Sequence, residues 1–293
     1  MSAISRLRRP RAIAAAAAIV ASLTFAGTSH AGAVTTAHAK GTEPIRCTAP
    51  GRQPITVVLV HGAWADSSSW SGEIAELQRE GCAVRAADNP VENLTTDSEK
   101  VAAFVRAIPG PVLLVGHSYG GAVISNAAAE AKNVVGLVYV DAAAPEVGEP
   151  LSALDGSTSV IATKPASELF EQVPGTPDGN TNLLLTENAF LNYFGSDLPK
   201  AKARQLWASQ TLTATPAINT PSRYAAWKTL PSWYFIATGD QIITPESELA
   251  MAHRAHSKVT VFRGGSHLAL VSHPKAVTAV INKALESLTA AGH

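Results

Sequence analysis

Residues 112–121, VLLVGHSYGG, constrain the fold of this 293-residue chain more than any other stretch. An apolar run ends there in the pattern Gly-x-Ser-x-Gly, and the small, helix-prone residues 122–132 follow it. This order predicts a buried strand, a tight turn that carries Ser118, and a helix. Glycines flank the serine because such a turn strains its backbone and leaves no room for neighbouring side chains. We therefore expect the hydroxyl of Ser118 at the carboxyl end of a strand.

Further apolar runs predict strands at 55–60, 83–87, 134–140, 232–237 and 258–263. Stretches with helical spacing separate these runs. The chain is therefore expected to adopt an α/β fold, in which helices flank a mostly parallel central sheet and the crossovers are right-handed.

Residues 145–230 interrupt this alternation. They are rich in Pro, Gly, Ser and Thr, contain short helical pieces such as 198–209, and have no strand signal of comparable strength. We expect an inserted cap over the carboxyl ends of the strands, where open α/β sheets bind their ligands. A long irregular connection is the alternative.

The N-terminal 39 residues have the three parts of a secretory signal peptide. Four arginines precede an apolar stretch at 12–26, and small residues with the patterns Ser-His-Ala and Ala-His-Ala follow it. The apolar stretch is shorter than the roughly 20 residues that span a bilayer, so export is favoured over a membrane anchor. The expected organisation is a signal peptide at 1–39, a lead-in at 40–53 and one α/β domain at 54–293, secreted once the signal is removed.

The charge balance of the chain limits the classes of molecule that it is expected to bind. The chain has 23 basic and 23 acidic residues, so no basic surface for nucleic acid or anionic lipid is expected, and a small neutral molecule is the expected partner. Oligomeric state is left open.

Cys47 and Cys82 each precede a strand, and these strands are expected to be parallel neighbours. Because an exported protein meets an oxidising environment, a disulfide between the two cysteines is expected, and two unlinked cysteines are the alternative. Neither has metal-site spacing, and no metal or organic cofactor is expected.

A serine hydroxyl becomes a nucleophile when a base removes its proton and an acid holds that base in one tautomer. His267 follows the last predicted strand in a glycine-flanked loop and is the candidate base. Asp240 ends the preceding strand, so the chain order is Ser118, Asp240, His267. Asp141, which also ends a strand, is the rival candidate for the acid.

The negative oxygen that forms during attack on a carbonyl group needs two hydrogen-bond donors. The amide of Tyr119, directly after the serine, is one candidate, and the amide of Ala63, in the loop after the first strand, is the other. Trp64 and His61 of the same loop are expected to contact the substrate. His117, inside the turn, is interpreted as a packing residue.

Together these motifs resemble those of the α/β-hydrolase superfamily over about residues 55–290. Within it they are similar to the small bacterial esterase-like hydrolases, which resemble plant methylesterases and hydroxynitrile lyases. The segments that carry the resemblance are VHGAW at 60–64, GHSYGG at 116–121, YVDA at 139–142, Gly239-Asp240 and Ser266-His267. The resemblance implies the fold and a Ser-His-Asp triad but not a substrate, since the superfamily hosts many activities.

Two branches of the superfamily are disfavoured. Its dehalogenases and epoxide hydrolases use an aspartate where this chain has Ser118, and its hydroxynitrile lyases place a lysine directly after the histidine, where this chain has Leu268. The resemblance thus implies a serine hydrolase that cleaves small carboxylic esters through an acyl-enzyme, and the signal peptide predicts that it is secreted. The alternatives are a lyase-like or amide-cleaving member of the same fold, or a non-catalytic relative that only binds a ligand.

Overall fold

The structure is a computed structural model, and it describes Cys47, Gly51 and residues 53–175 and 180–292. The predicted signal peptide at 1–39 and most of the lead-in at 40–53 lie outside the described residues. Within the described part of the chain, no helix is both long and apolar enough to cross a membrane.

The described residues form nine strands and eleven α-helices. The strands are β1 (Thr56–Val60), β2 (Val84–Ala87), β3 (Val112–Ser118), β4 (Val134–Ala142), β5 (Phe170–Pro174), β6 (Thr181–Leu185), β7 (Thr213–Ala214), β8 (Ser232–Ala237) and β9 (Lys258–Phe262). The helices are α1 (Ser71–Arg79), α2 (Leu94–Arg106), α3 (Tyr119–Glu130), α4 (Val160–Thr163), α5 (Ala166–Leu169), α6 (Glu187–Ala189), α7 (Lys200–Ala208), α8 (Thr215–Asn219), α9 (Pro245–Arg254), α10 (Ala269–Ser272) and α11 (Pro274–Ala290).

Six strands form one parallel sheet in the order β2-β1-β3-β4-β8-β9. Every residue of β1 and of β3 is buried. Because successive residues of a strand point to opposite faces, such burial requires that helices cover both faces of the sheet. Among these helices, α1 packs on α11, and α2 packs on α3. The predicted α/β fold with a mostly parallel sheet is therefore confirmed.

The parallel arrangement determines where a functional site is able to form. The chain leaves β1, β3, β8 and β9 at the same edge of the sheet, because parallel strands end on one side. The loops and turns that carry the predicted site residues all begin at this edge. Residues far apart in the sequence are thereby brought within reach of one another.

Between β4 and β8 the chain leaves the sheet and forms the inserted cap. It contains short helices, as predicted, but also a three-stranded antiparallel sheet in the order β5-β6-β7, which the sequence analysis did not predict. Only one residue of β5 and β6 together, Leu185, is buried. These strands therefore lack the continuous apolar run that marks the strands of the central sheet.

A disulfide joins Cys47 to Cys82, with their Cα atoms 5.5 Å apart. The carbonyl of Cys47 accepts a hydrogen bond from the amide of Ile55 at 2.8 Å, so Cys47 lies beside the start of β1. Cys82 precedes β2, the neighbour of β1. The two cysteines meet because their strands are parallel and adjacent, which is the geometry expected from the sequence.

Candidate active site

Ser118 lies at the sharp turn between β3 and α3, with a φ of 54° and a ψ of −125°. A positive φ is strained for a residue with a side chain, and such strain is concentrated at functional sites. The turn closes only with glycine on both sides. A Cβ at Gly116 would collide with the backbone of Gly120, and a Cβ at Gly120 would collide with the carbonyl of Val60.

A continuous line of hydrogen bonds connects the three predicted residues. Ser118 Oγ lies 2.8 Å from His267 Nε2, and His267 Nδ1 lies 2.6 Å from Asp240 Oδ2. The carboxylate is an acceptor, so Nδ1 carries the proton and Nε2 accepts from the serine hydroxyl. All three side chains are buried. This is the hydrogen-bond geometry that a general base needs to take the proton of a serine.

Asp240 is held by backbone donors. Its other oxygen, Oδ1, accepts from the amides of Ile242 and Ile243 at 2.7 and 3.2 Å, so both oxygens have partners. The loop of His267 is held by the cap instead. There Asp197 accepts from the hydroxyl of Ser266 at 2.5 Å and from the hydroxyl of Ser272, and the sequence analysis did not identify this contact.

Asp141, the rival acid, does not contact His267. Its Oδ1 accepts from the amide of Ala237 at 2.7 Å, which ties the end of β4 to the end of β8. The geometry therefore favours Asp240 over Asp141 as the partner of the histidine.

Asp141 belongs to a buried group of carboxyls with Asp240 and Glu248, whose oxygens lie within 4.8 Å of one another. Burial, followed by the charge of Asp240, raises the pKa of Asp141, and burial followed by the charge of Asp141 raises the pKa of Glu248. Raised pKa values keep protons on carboxyl groups that a cation would have to displace. We interpret Asp141 and Glu248 as protonated carboxyls beside Asp240 rather than as ligands of a metal ion.

His117 contacts the predicted base directly. Its Nε2 lies 2.7 Å from the carbonyl oxygen of His267, and the two ring centroids are 4.8 Å apart. Burial, followed by the charge of His267, lowers the pKa of His117 well below its usual value, so the ring is neutral and Nε2 carries its proton. The ring packs, as predicted, but it also donates a hydrogen bond to the backbone of His267.

The two predicted oxyanion donors are the backbone amides of Tyr119 and Ala63. Tyr119 is the first residue of α3, where a backbone amide has no acceptor inside the helix. Its hydroxyl donates to Asp97 Oδ2 at 2.8 Å, which fixes the first turn of α3 against α2. A Cβ at Gly62 would lie 2.6 Å from the Cβ of Ser118, so the backbone that leads to Ala63 packs directly on the serine. The role of these amides stays a prediction.

A cavity of about 220 Å³ opens on Ser118, below the roughly 300–1,000 Å³ of typical ligand pockets. The cap and the loops at the strand ends enclose it, and most of the lining side chains are apolar. The lining residues are Ala63, Trp64, Ser118, Leu151, Ser152, Asp155, Ile161, Phe170, Leu183, Thr215, Ile218, Asn219, Ile242 and Ile243. A small, largely apolar molecule fits such a space.

Trp64 lines this cavity and also fastens the cap to the sheet. Its amide donates to Thr213 Oγ1 and its indole to the carbonyl of Leu183, each at 3.1 Å. Its ring stacks on Phe170, with centroids 5.5 Å apart. The predicted substrate contact of Trp64 is thus compatible with its position.

His61 is the other residue that the sequence predicts to contact the substrate. It is not among the residues that line the cavity, its side chain is buried, and its Nδ1 lies 2.9 Å from the carbonyl of Gly62. Burial lowers its pKa. The carbonyl of His61 accepts from Asn89, so the residue fixes the loop after β1, and its contact with the substrate stays a prediction.

Comparisons with known proteins agree with this fold. A model of the family described as alpha/beta hydrolase matches residues 57–280. An alpha/beta hydrolase of Aspergillus novofumigatus is 28% identical over 250 residues, which are 78% of this chain and 95% of the fungal protein. A carbendazim-hydrolyzing esterase from Nocardioides sp. is 36% identical over 115 residues, which are 33% of this chain and 46% of that esterase. Among solved structures, polyneuridine aldehyde esterase superposes with a TM-score of 0.67 at 17% identity, covering 81% of this chain and 100% of that one.

The match over more than half of its length shows that the chain belongs to the alpha/beta hydrolase family. The resemblance to α/β-hydrolases that the sequence motifs indicated is thereby confirmed.

Proposed function

We propose that the protein is a serine esterase that hydrolyses small carboxylic esters through an acyl-enzyme on Ser118. The observation that carries the proposal is the hydrogen-bonded line from Ser118 through His267 to Asp240, which opens onto an apolar cavity. Esterases among the relatives support the type of bond that is cleaved.

The first half of the proposed reaction acylates the serine. Ser118 Oγ attacks the ester carbonyl carbon while its proton passes to His267 Nε2, and Asp240 stabilises the imidazolium that results. The carbonyl oxygen becomes negative and accepts hydrogen bonds from the amides of Ala63 and Tyr119. The bond to the alcohol oxygen then breaks, and the departing alcohol takes the proton from His267.

The second half returns the enzyme to its starting state. A water molecule gives a proton to His267 and attacks the acyl carbon, and the bond to Ser118 Oγ breaks as the serine regains its proton. The reaction consumes one ester and one water and yields one acid and one alcohol. Every proton transfer passes through His267, so no cofactor is needed.

We also propose that the protein is exported. The predicted signal peptide at 1–39 supports this, and so does the disulfide between Cys47 and Cys82, because disulfides persist in oxidising compartments.

Hydrolysis of a chain-length series of p-nitrophenyl esters, measured beside Ser118→Ala, tests the proposed activity. We expect the wild type to prefer short acyl chains, because the cavity is only about 220 Å³, and we expect the variant to lose about 10³-fold or more in kcat. A wild type that is inactive on every ester would overturn the proposal, and amide and cyanohydrin substrates would then be tested.

A further inference from the structure

One charged group stands out in the apolar cavity. Of the described residues that line it, Asp155 alone has an acidic or basic side chain, and it shares this cavity with Ser118. Its carboxylate has no hydrogen-bond or ion-pair partner among the described residues. Nothing in the cap sequence distinguishes this residue from other acidic residues.

The carboxyl of Asp155 is carried by a segment that is firmly attached. The carbonyl of Asp155 accepts from the amide of Thr244 at 2.8 Å, and the carbonyl of Leu154 accepts from the hydroxyl of Ser247 at 2.6 Å. The hydroxyl of Ser159 donates to the carbonyl of Ile242 at 2.6 Å. These contacts join the cap to the loop that follows Asp240, so the backbone that carries the carboxyl is held in place before any ligand binds.

The same residue has a perturbed acidity. Burial raises the pKa of Asp155 to about 7, the charge of Asp240 acts in the same direction, and the charge of His267 opposes it. Asp155 is half-buried in the cavity, so its carboxylate is partly desolvated and has no partner in the described part of the chain. A ligand that brings a positive charge beside it would gain a charge-assisted hydrogen bond.

We propose that Asp155 determines substrate specificity by pairing with a protonated amine of the substrate, so that the cavity selects small esters that carry a basic nitrogen. This inference rests on the proposed esterase function. A cation suits the site better than a neutral donor, because it both gives a hydrogen bond and compensates the negative charge of a half-buried carboxylate. The rings of Trp64 and Phe170, which line the same cavity, offer a second favourable surface for a cation.

Matched esters separate the effect of charge from the effect of shape. One pair is 2-(dimethylamino)ethyl butanoate and 3-methylbutyl butanoate, which place the nitrogen or its carbon counterpart on the alcohol side. The other is methyl 4-(dimethylamino)butanoate and methyl 5-methylhexanoate, which place it on the acyl side. For each pair, kcat/KM is measured at pH 7.5 in the wild type and in Asp155→Asn, whose side chain has the same shape without the charge.

The ratio of the amine ester to its neutral counterpart is the decisive quantity. We expect Asp155→Asn to lower this ratio by about tenfold or more in at least one pair, because close charge pairs in desolvated sites are strongly coupled. The control is Glu171→Gln, which removes a negative charge from an exposed position on β5 outside the cavity and is expected to leave both ratios unchanged. Equal ratios in the wild type and in Asp155→Asn for both pairs would overturn the inference.

Failure of this inference differs from failure of the proposed function. If the wild type hydrolyses the neutral esters and the ratios do not change in Asp155→Asn, the esterase function stands and the amine specificity is wrong. If no ester is hydrolysed, binding of N,N-dimethylbutylammonium is measured by calorimetry in both proteins. Weaker binding to Asp155→Asn would support the amine site, whereas equal binding would contradict it.

Discussion

At the scale of single residues, the reactive group depends on neighbours that take no part in the chemistry. His267 is fixed at its side chain by Asp240 and at its backbone by His117, whose Nε2 donates to the His267 carbonyl at 2.7 Å. His117 thus acts as a positioning residue. It precedes Ser118 in the sequence, so one turn holds both the serine and the loop that carries its base.

Replacing His117 tests this positioning role. His117→Phe keeps a ring of similar size but removes the donor, so we expect kcat for ester hydrolysis to fall by about 10- to 100-fold with little change in KM, because small displacements of a base are costly. His117→Gln retains an N–H donor and should recover part of the rate. Steady-state kinetics on a short p-nitrophenyl ester measures both. A kcat for His117→Phe within twofold of the wild type would show that the contact does not matter.

The sequence predicts the reactive residues better than the residues that support them. Ser118, Asp240 and His267 each end or follow an apolar run. Because parallel strands end at one edge of the sheet, the pattern of apolar runs predicts that these three residues lie close together. Asp155 and Asp197 are different, because their positions depend on contacts between the cap and loops more than 60 residues away in the sequence. The position of the His61 side chain away from the lining of the cavity was equally unpredictable, since the direction of a side chain within a loop leaves no periodic pattern.

At the scale of elements, α9 places an acid in the core. Glu248 is fully buried beside the ends of β4 and β8, and neither of its side-chain oxygens has a hydrogen-bond partner among the described residues. Burial raises its pKa well above the usual 4.5, so the folded protein retains a proton that the unfolded chain releases. The free energy of unfolding must therefore fall as the pH rises above about 4 towards the folded-state pKa.

Glu248→Gln removes this titration. We expect the variant to gain stability over the wild type between pH 5 and pH 8, because keeping a proton on Glu248 above its unfolded-state pKa costs the wild type about 1 kcal/mol per pH unit, whereas Gln does not titrate. Urea unfolding at the two pH values measures it. Glu246→Gln, an exposed change on the same helix, is the control and should show no difference that depends on pH. A Glu248→Gln effect that is equal at both pH values would contradict the account.

The strands of the cap could not be predicted from sequence patterns. The central strands are continuous apolar runs because both faces are covered, whereas β5 and β6 are mostly half-buried or exposed. β7 has only two residues. Such strands form because they pair with each other and with Trp64, which is a property of the folded molecule and not of the segment.

At the scale of the whole molecule, we predict the N-terminus and the thiol content of the exported protein. The protein recovered from the medium of a secreting host should begin at Gly32 or Lys40, after one of the two small-residue patterns, and should have no free thiol. Reduction should lower Tm by about 4–16 °C, since a loop of this length contributes about 2–4 kcal/mol. The double variant Cys47→Ser, Cys82→Ser is the control and should not respond to reductant. An intracellular protein with Met1 intact and two free thiols would contradict the prediction.

The most direct test of the central claim is to trap the nucleophile. Treatment with diisopropyl fluorophosphate, followed by mass spectrometry of the digested protein, should find one phosphoryl adduct, on the peptide that contains Ser118, and ester hydrolysis should fall in proportion to the modified fraction. Ser118→Ala should acquire no adduct. Modification of another residue, or full ester turnover by protein that is modified at Ser118, would contradict the account.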